Sequence, residues 1–342
     1  MEQVSTIGLD IAKRVFQAHG ADAAGHVVFR RKLTRGKVLM FLASQPPCVV
    51  ALEACGGAHH WGREIAKLGH EVRLLPPKYV KPFVKRQKND AADAEAICEA
   101  AQRPTMRFVA VKSAAAQASG LVFRTRDLLV RQRTQTINAL RGHLTEYGWV
   151  VAKGTAHVAE LIGHIEDPAR ELPEDARPIL RILIASLKDL DEKISLLDTE
   201  IGRLAKEDPV ALRLTSIPGV GPITATAIAA LAPPAATFKR GRDFAAWAGL
   251  TPVQHSIGGK QKLGATSKMG ERTIRRLLII GASAVVRQAA RRGAPDGSWL
   301  ARMLARKPRM LVTVALANKM ARVVWALLAK GEVYKAPVAA AV

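Results

Sequence analysis

Two apolar segments near the start of the chain each end in an acidic side chain, and this pattern limits the folds open to it. Residues 4–12 (VSTIGLDIA) are predicted to form a buried strand ending at Asp10, and residues 48–54 (CVVALEA) a second strand closing with Glu53. A carboxylate at the end of an apolar strand must face something polar or cationic, because burying an unpaired charge is costly. Both acids are therefore candidates for a functional site.

The elements around these strands define an α/β sheet. The pattern predicts further strands at 15–18, 26–33 and 71–75, and helices near 36–44, 59–68 and 90–102. The order of three strands, helix, strand, helix, strand and helix, with the first strands in a meander, suits a ribonuclease-H-like fold. In such a sheet, acids on the first and fourth strands and on the last helix can meet at one edge.

The start of the last of these helices carries two carboxylates, Asp90 and Asp93. Residues three apart lie on one helix face, so both side chains point the same way. Taken alone, each is also explained as a helix cap. With Asp10 and Glu53 they would form a cluster of like charge that a divalent cation neutralises, and oxygen ligands select Mg²⁺ or Mn²⁺.

The formal net charge of +23 indicates a polyanionic partner, most often nucleic acid, bound through its phosphates. A basic protein of another kind, or a binder of membrane surfaces, remains the alternative. Residues 113–147 are predicted to be helical and basic, either as a solvated face or along a nucleic-acid backbone. The cations expected to contact nucleic acid in the first half are Lys85, Arg86, Lys88, Arg124 and Arg131.

The three cysteines form no Cys-x-x-Cys pair, which fits a reducing compartment and offers no zinc or disulfide framework. The chain starts without the charged and apolar regions of a signal peptide. The apolar stretch 310–329 contains Asn318, Lys319 and Arg322, so we do not expect it to span a bilayer. The expectation is a cytoplasmic protein with no membrane partner.

An apolar repeat runs through the middle of the chain. Its steps alternate between three and four residues, at Leu180, Leu183, Leu187, Leu190, Ile194, Leu197, Ile201 and Leu204. This spacing predicts a coiled-coil seam, and we expect it to join copies of the chain into a dimer or tetramer. The alternative is a helix packed against its own domain. We therefore divide the chain at 1–150, 151–208 and 209–342.

The last part is expected to be mainly α-helical. Residues 216–222 (SIPGVGP), followed by an Ala-rich helix, resemble a helix-hairpin-helix, in which backbone N–H groups at Gly219 and Gly221 can receive a phosphate. This segment predicts contact with a nucleic-acid backbone.

Two Gly-rich blocks follow, 253–260 (VQHSIGGK) and 264–270 (GATSKMG). Ser256 lies on a flexible hairpin between basic residues, as a phosphate contact or as a nucleophile. Residue type alone favours the contact, because serine needs activation and only His255 or a metal-bound substrate could supply it. Ser267 either caps the next helix or touches nucleic acid. The predicted contacts in this region are Lys260, Lys262, Ser267, Lys268, Arg272, Arg275 and Arg276.

Taken together, the motifs resemble the DEDD recombinases of bacterial insertion sequences, relatives of the pilin gene invertase. The matching stretches are GLDIA with Asp10, LEACGG with Glu53, NDAADA with Asp90 and Asp93, IPGVG, GLTP, HSIGGK with Ser256, and SKMG followed by Arg275 and Arg276. They cover nearly the whole chain in order. Ile257 departs from the pattern, since a second hydroxyl is expected there in many relatives.

The resemblance implies a RuvC-like N-terminal domain whose four acids bind Mg²⁺ or Mn²⁺, and a separate C-terminal transposase domain. It implies that Ser256 becomes covalently joined to DNA, in a site composed from different subunits across the coiled coil. It further implies a structured noncoding guide RNA that pairs with the element ends and the target DNA.

Two other functions remain open on the sequence. One is a RuvC-like Holliday-junction resolvase or nuclease, in which metal-activated water cuts the strand and no covalent adduct forms. The other is a non-catalytic nucleic-acid-binding protein with a decayed metal site.

Overall fold

A computed structural model of the chain describes residues 3–85 and 89–336. The chain divides into two compact units, Met1–Gln117 and Ala118–Val342. The predicted contacts Arg86 and Lys88 lie outside the described residues. The division into three segments at 150 and 208 stays a prediction, and the two units are described separately.

The first unit contains a five-stranded mixed sheet in the order β3-β2-β1-β4-β5. The strands are β1 (Thr6–Asp10), β2 (Val15–Ala21), β3 (Val27–Thr34), β4 (Val49–Glu53) and β5 (Glu71–Leu75). β1 is antiparallel to β2 and parallel to β4, and β4 is parallel to β5. The predicted α/β sheet with an antiparallel meander is confirmed, and it is compatible with a ribonuclease-H-like domain.

Helices cover both faces of this sheet. They are α1 (Val38–Ala43), α2 (Ala58–Lys67), α3 (Pro77–Val80) and α4 (Asp90–Ala101). On one face, Leu9 and Leu52 pack with Trp61 of α2. On the other, Ala51 packs with Ile97 of α4. Since side chains alternate along a strand, Gly8 and Asp10 point to the α4 face whereas Leu9 points to α2.

The second unit is mainly α-helical, as predicted. Its helices are α5 (Ala114–Glu146, which begins in the last residues of the first unit), α6 (Val158–Glu166), α7 (Ala176–Glu207), α8 (Pro209–Leu214), α9 (Pro222–Leu231), α10 (Gly241–Trp247), α11 (Arg272–Arg292), α12 (Trp299–Arg306) and α13 (Arg309–Lys330). The strands β6 (Pro252–Gln254) and β7 (Leu263–Thr266) form a separate antiparallel hairpin. By length and composition α13 is apolar enough to cross a membrane. In the structure its Ala317, Ala321 and Val324 are buried in a core shared with α9, α10 and α11, which is the position of a core helix.

The apolar seam of α7 packs against α5 of the same chain. One buried cluster contains Ile137, Leu140, Leu144, Leu161, Ile165, Leu180, Ile184 and Leu187, contributed by α5, α6 and α7. The structure therefore shows the alternative that the sequence left open, and a coiled coil between copies is not confirmed. The periodicity located the apolar face correctly but could not say which helix covers it.

Two ion pairs show how α5 and α7 are oriented relative to each other. Arg126 on α5 donates to Asp198 on α7 at 2.5 Å, and Arg133 donates to Asp191 at 3.0 Å. Seven residues forward on α5 correspond to seven residues back on α7, so the helices are antiparallel. These two arginines of the basic stretch 113–147 are paired within the chain rather than presented to an outside partner.

Candidate metal centre and serine-bearing hairpin

The carboxylate of Asp10 lies at the carboxyl end of β1, on the face covered by α4. This helix runs alongside β1 in the opposite direction: the Cys98 thiol donates to the Thr6 carbonyl, and Ala94 lies against Gly8. The first turn of α4, with Asp90 and Asp93, therefore reaches the end of β1. The metal-binding geometry depends on how closely this helix approaches this strand.

Three acids converge at this point. Among the residues that the structure describes, Asp10, Asp90 and Asp93 form a group whose carboxylate oxygens all lie within 4.8 Å of one another. At an effective dielectric of about 20, two carboxylates at this distance repel each other by on the order of 3 kcal/mol. A divalent cation would remove that repulsion, and three hard oxygen ligands are the kind of set that Mg²⁺ or Mn²⁺ takes.

The predicted fourth acid, Glu53, lies beside this group rather than within the 4.8 Å cluster. Leu9 pairs with Leu52 in the parallel register of β1 and β4, so Asp10 and Glu53 are the next neighbours along the two strands. The pKa of the Cys55 thiol is raised, first by burial and then by the charges of Glu53 and Asp10. Both carboxylates thus lie close enough to act on the same sulfur.

The helix cap of α4 is provided by a different residue. Asn89 is the N-cap, and its side-chain oxygen accepts a hydrogen bond from the Ala91 amide at 3.0 Å. Capping therefore does not account for Asp90 and Asp93. Their place in the first turn also lets the positive end of the helix dipole offset part of their charge.

The hairpin that carries Ser256 ends in a two-residue turn. Ile257 and Lys260 pair across it, and Gly258 and Gly259 have φ values of 57° and 75°. Positive φ at both central positions is characteristic of a type I′ turn, which glycine adopts without strain. The Ser256 Oγ accepts a hydrogen bond from the Lys262 amide at 3.2 Å, so the hydroxyl is held against the facing strand.

His255 is oriented away from Ser256. A Cβ at Gly264 would lie 2.9 Å from the His255 ring, so the imidazole packs over the facing strand at this glycine. The His255 amide donates to the Lys262 carbonyl, which continues the ladder beyond β6. Neighbouring side chains on such a ladder point to opposite faces. This arrangement disfavours His255 as the group that activates Ser256.

The base of the hairpin is fixed by close backbone contacts. Gly249 and Gly270 both have positive φ, and a Cβ on either would overlap a backbone carbonyl, of Met269 and Trp247 respectively. The Arg275 guanidinium donates to the carbonyls of Ala248, at 3.1 Å, and Met269, at 2.7 Å. It therefore joins the two segments from which the hairpin emerges.

Comparisons with known proteins find similarity along nearly the whole chain. Residues 7–148 match a DEDD-type IS110 transposase domain, and residues 211–294 match the domain described as "Transposase IS116/IS110/IS902 family". The "probable family 20 transposase" of Pseudomonas aeruginosa is 49% identical over 97% of this chain and 99% of its own length. The transposase of insertion sequence IS1328 from Yersinia enterocolitica is 38% identical over 98% of this chain and 99% of its own.

The chain belongs to the IS110/IS116 family of transposases. It is an insertion-sequence transposase, an enzyme that cleaves DNA and transfers its strands. A DEDD-type domain implies a divalent metal ion, and Asp10, Asp90 and Asp93 are described residues whose donor atoms fit one.

Several predicted nucleic-acid contacts of this transposase have partners within the chain. The Arg275 guanidinium donates to two backbone carbonyls, and burial and the charge of Arg272 lower its pKa. Contact of Arg275 with nucleic acid stays a prediction. Arg276 and Arg131 both pair with Asp127. Sequence reasoning missed the pairing of Arg276 with Asp127 and of Arg275 with Ala248 because these acceptors lie far away along the chain, whereas Asp127 is only four residues before Arg131.

Lys85 also has a partner, since its ammonium pairs with Glu95 at 2.7 Å. In contrast, the side chains of Arg124, Lys260, Lys262, Lys268 and Arg272 are exposed. Contact of these residues with nucleic acid stays a prediction.

Ser267 does not cap α11. The N-cap is Glu271, which accepts from the Thr273 amide, whereas the Ser267 amide donates to the Thr251 carbonyl. The next residue, Lys268, has a φ of 54°, and the close contacts around Gly249 and Gly270 hold this left-handed corner. A contact of Ser267 with nucleic acid stays a prediction.

The segment predicted to resemble a helix-hairpin-helix forms α8, a tight turn and α9. Gly219 in this turn has a φ of 85°, and a Cβ there would lie 2.8 Å from the Gly281 carbonyl of α11. Helix packing therefore accounts for this glycine. Phosphate binding at Gly219 and Gly221 stays a prediction.

Proposed function

We propose that this IS110-family transposase cuts and rejoins DNA with Ser256 as the covalent nucleophile, assisted by Mg²⁺ held by Asp10, Asp90 and Asp93, with Glu53 beside them. Mn²⁺ would serve the same set of oxygen donors. The observation that carries the proposal is the convergence of three carboxylates within 4.8 Å at the end of β1. It is supported by a second feature, a serine held on an exposed hairpin.

The chemistry proposed for Ser256 is a phosphoryl transfer. Its Oγ forms a bond to a DNA phosphorus, the P–O bond to one strand end breaks, and the serine proton leaves with that end as a hydroxyl. The hydroxyl of another strand end reverses the step and restores the serine. A bound divalent ion would stabilise the negative charge that develops on the phosphoryl oxygens.

The Lys262 amide contributes to positioning. By donating to the Ser256 Oγ, it fixes the oxygen while leaving the hydroxyl proton directed elsewhere. Since His255 packs over Gly264, we infer that the proton passes to the substrate rather than to a histidine. The exposed Lys260 and Lys262 lie on the strand that faces the serine, and their positive charge near it suits a phosphate as the reacting group.

The test is a search for a covalent protein–DNA adduct. Incubation with DNA carrying the element ends and Mg²⁺, followed by denaturing electrophoresis, should give an adduct with the unmodified chain but none with Ser256→Ala. Ser267→Ala is the matched control and should retain the adduct. Asp93→Asn should remove both cleavage and adduct.

Water is the competing nucleophile, and the orientation of His255 keeps this alternative open. It predicts cleavage that depends on Asp10 and Asp93 but persists in Ser256→Ala without any adduct. That outcome would make the protein a junction-cleaving nuclease in mechanism. Loss of cleavage together with the adduct supports Ser256.

Two partners complete the proposal. The net charge of +23 suits a guide RNA transcribed from the element as well as DNA, and RNA that co-purifies through a high-salt wash would support this. A second copy of the chain is the other partner, acting with the first in the cytoplasm. Light scattering with and without DNA measures the oligomeric state. A monomer in both conditions would contradict the proposal of a second copy as partner.

A further inference from the structure

The hairpin around Ser256 is an arm that lies outside the core of its unit. We define the arm as residues 252–266. Every residue from 252 to 265 is exposed, so neither face of the ribbon is covered. An isolated two-stranded ribbon is marginally stable in water. Its two faces are therefore accessible to an outside partner.

The tip of the arm presents an apolar side chain to solvent. Ile257 is 83% exposed, more than any other large hydrophobic residue that the structure describes. It lies directly before the two turn glycines and across from Lys260. Single exposed apolar residues are common on protein surfaces, so exposure alone decides nothing. The side chains around Ile257 indicate what it could contact.

The arm's charge is of one sign. Residues 252–266 contain Lys260 and Lys262 and no Asp or Glu. The cross-strand pair and the alternation of the ladder place Ile257, Lys260, Lys262 and His255 on one face. Ser256 points to the opposite face. An apolar tip among cations suits a duplex, whose base stack is apolar and whose backbone is anionic.

We propose that the arm enters the DNA tip-first and that Ile257 inserts between stacked bases next to the phosphate that Ser256 attacks. Apolar side chains used in this way unstack a base step and kink the duplex. Ile257 and Ser256 are adjacent in the chain and point in opposite directions, so one can face the bases while the other faces the backbone. We call the inserted Ile257 side chain the wedge. Insertion itself does not depend on the proposed function; only the position of the wedge next to the phosphate that Ser256 attacks rests on it.

The wedge would expose one phosphate of the duplex to the enzyme. A duplex phosphate is held in a regular backbone, whereas a kinked step exposes it and separates its neighbours. Ile257 would thus select sites with a flexible step, such as TA or CA, without a hydrogen bond to any base. Its effect on strand cleavage would be to position the DNA rather than to take part in bond making.

Permanganate oxidation of unstacked thymines tests this directly. The full chain, with RNA transcribed from the element, is bound to a duplex carrying the joined element ends. The Ser256→Ala background keeps the strands intact. Pairing of the RNA with the DNA would itself expose thymines, so the readout is the set of thymines whose reaction depends on Ile257. We expect these within a few base pairs of the joined ends. Adding Ile257→Ala should return their reactivity to that of free duplex, while Ile257→Leu should retain it.

Binding is measured on the same samples by mobility shift. Affinity should fall by about tenfold at most in Ile257→Ala, because the burial gained by the wedge is offset by the cost of unstacking. Leu196→Ala, which removes another exposed apolar side chain of the same unit, should change neither readout. Folding is not at risk, since Ile257 makes no core contact.

Three results would overturn the wedge. They are a bound complex without new thymine reactivity, a pattern of reactive thymines that Ile257→Ala leaves unchanged, or a change in oligomeric state with no change in DNA structure. The last would assign Ile257 to contact between copies. The oxidation assay reports unstacking whether or not Ser256 is the nucleophile, so an adduct that persists in Ser256→Ala would remove the proposed function and leave the wedge to be judged separately.

Discussion

Gly8 of β1 lies so close to the backbone of α4 that a Cβ at this position would overlap the carbonyl oxygen of Ala94. The same Cβ would lie 2.8 Å from the Cβ of Cys98. This contact sets the distance between strand and helix two residues before Asp10 and one residue after Asp93. A glycine within a strand thus permits the approach that brings the acids together.

Substitution Gly8→Ala should separate the carboxylates. The methyl group forces α4 away from β1, at a cost of about 1–3 kcal/mol in unfolding free energy, and Mn²⁺ affinity should fall with it. Calorimetric Mn²⁺ titration and thermal unfolding measure the two effects. Gly36→Ala, which meets no atom within 4 Å, is the control and should keep wild-type Mn²⁺ affinity. Unchanged Mn²⁺ binding in Gly8→Ala would show that the site does not depend on this contact.

Replacing Asp10 by Asn should have opposite effects on the stability of the metal-free chain and on its stabilisation by metal. Without metal, the variant should be as stable as the unmodified chain or more so, because repulsion with Asp90 and Asp93 is relieved. At metal a hundred times its Kd the unmodified chain gains about 2.7 kcal/mol, and the variant should gain none. Thermal shift with and without Mg²⁺ measures this. Glu99→Gln, on α4 but paired with Arg103, should respond to metal normally.

Truncation of the α7 seam should destabilise a single chain rather than split an oligomer. Leu187→Ala opens a cavity in the cluster shared with α5, at a cost of about 2–5 kcal/mol. The unfolding midpoint should not depend on protein concentration. Ile182→Ala, on the exposed side of the same helix, should change stability by less than about 0.5 kcal/mol. An unfolding midpoint that rises with protein concentration would instead support a coiled coil between copies.

Two arginines of α11 should behave differently when changed to Ala. Arg275→Ala removes both bonds at the base of the hairpin, so stability should fall by about 1–3 kcal/mol and strand exchange with it. Arg272→Ala should leave stability unchanged and weaken DNA binding. The slope of the logarithm of the binding constant against the logarithm of the salt concentration should become shallower by about one phosphate contact. Thermal unfolding and a salt series of mobility shifts separate them. Equal loss of stability in both would contradict the assigned roles.

The fold of the first unit could be predicted because its signals are local. Apolar runs ending at Asp10 and Glu53 predicted two strands, and the order of elements predicted an α/β sheet that begins with a meander, as the structure shows. The spacing of Asp90 and Asp93 placed both on one helix face, and the two upstream acids and the family motifs made them candidates for the metal site. Strand alternation and helix periodicity depend on neighbours in sequence, so a single sequence contains this information.

What the sequence alone determined is therefore which residue types face which side of each element, together with the family motifs in their order. Tertiary structure decided what covers each face. It put α5 against the α7 seam, gave Arg275 to two carbonyls, made Asn89 rather than an aspartate the cap of α4, and turned His255 away from Ser256. These outcomes depend on contacts between distant segments, and hydrophobic burial and hydrogen bonding select such partners by shape and distance, which periodicity does not encode.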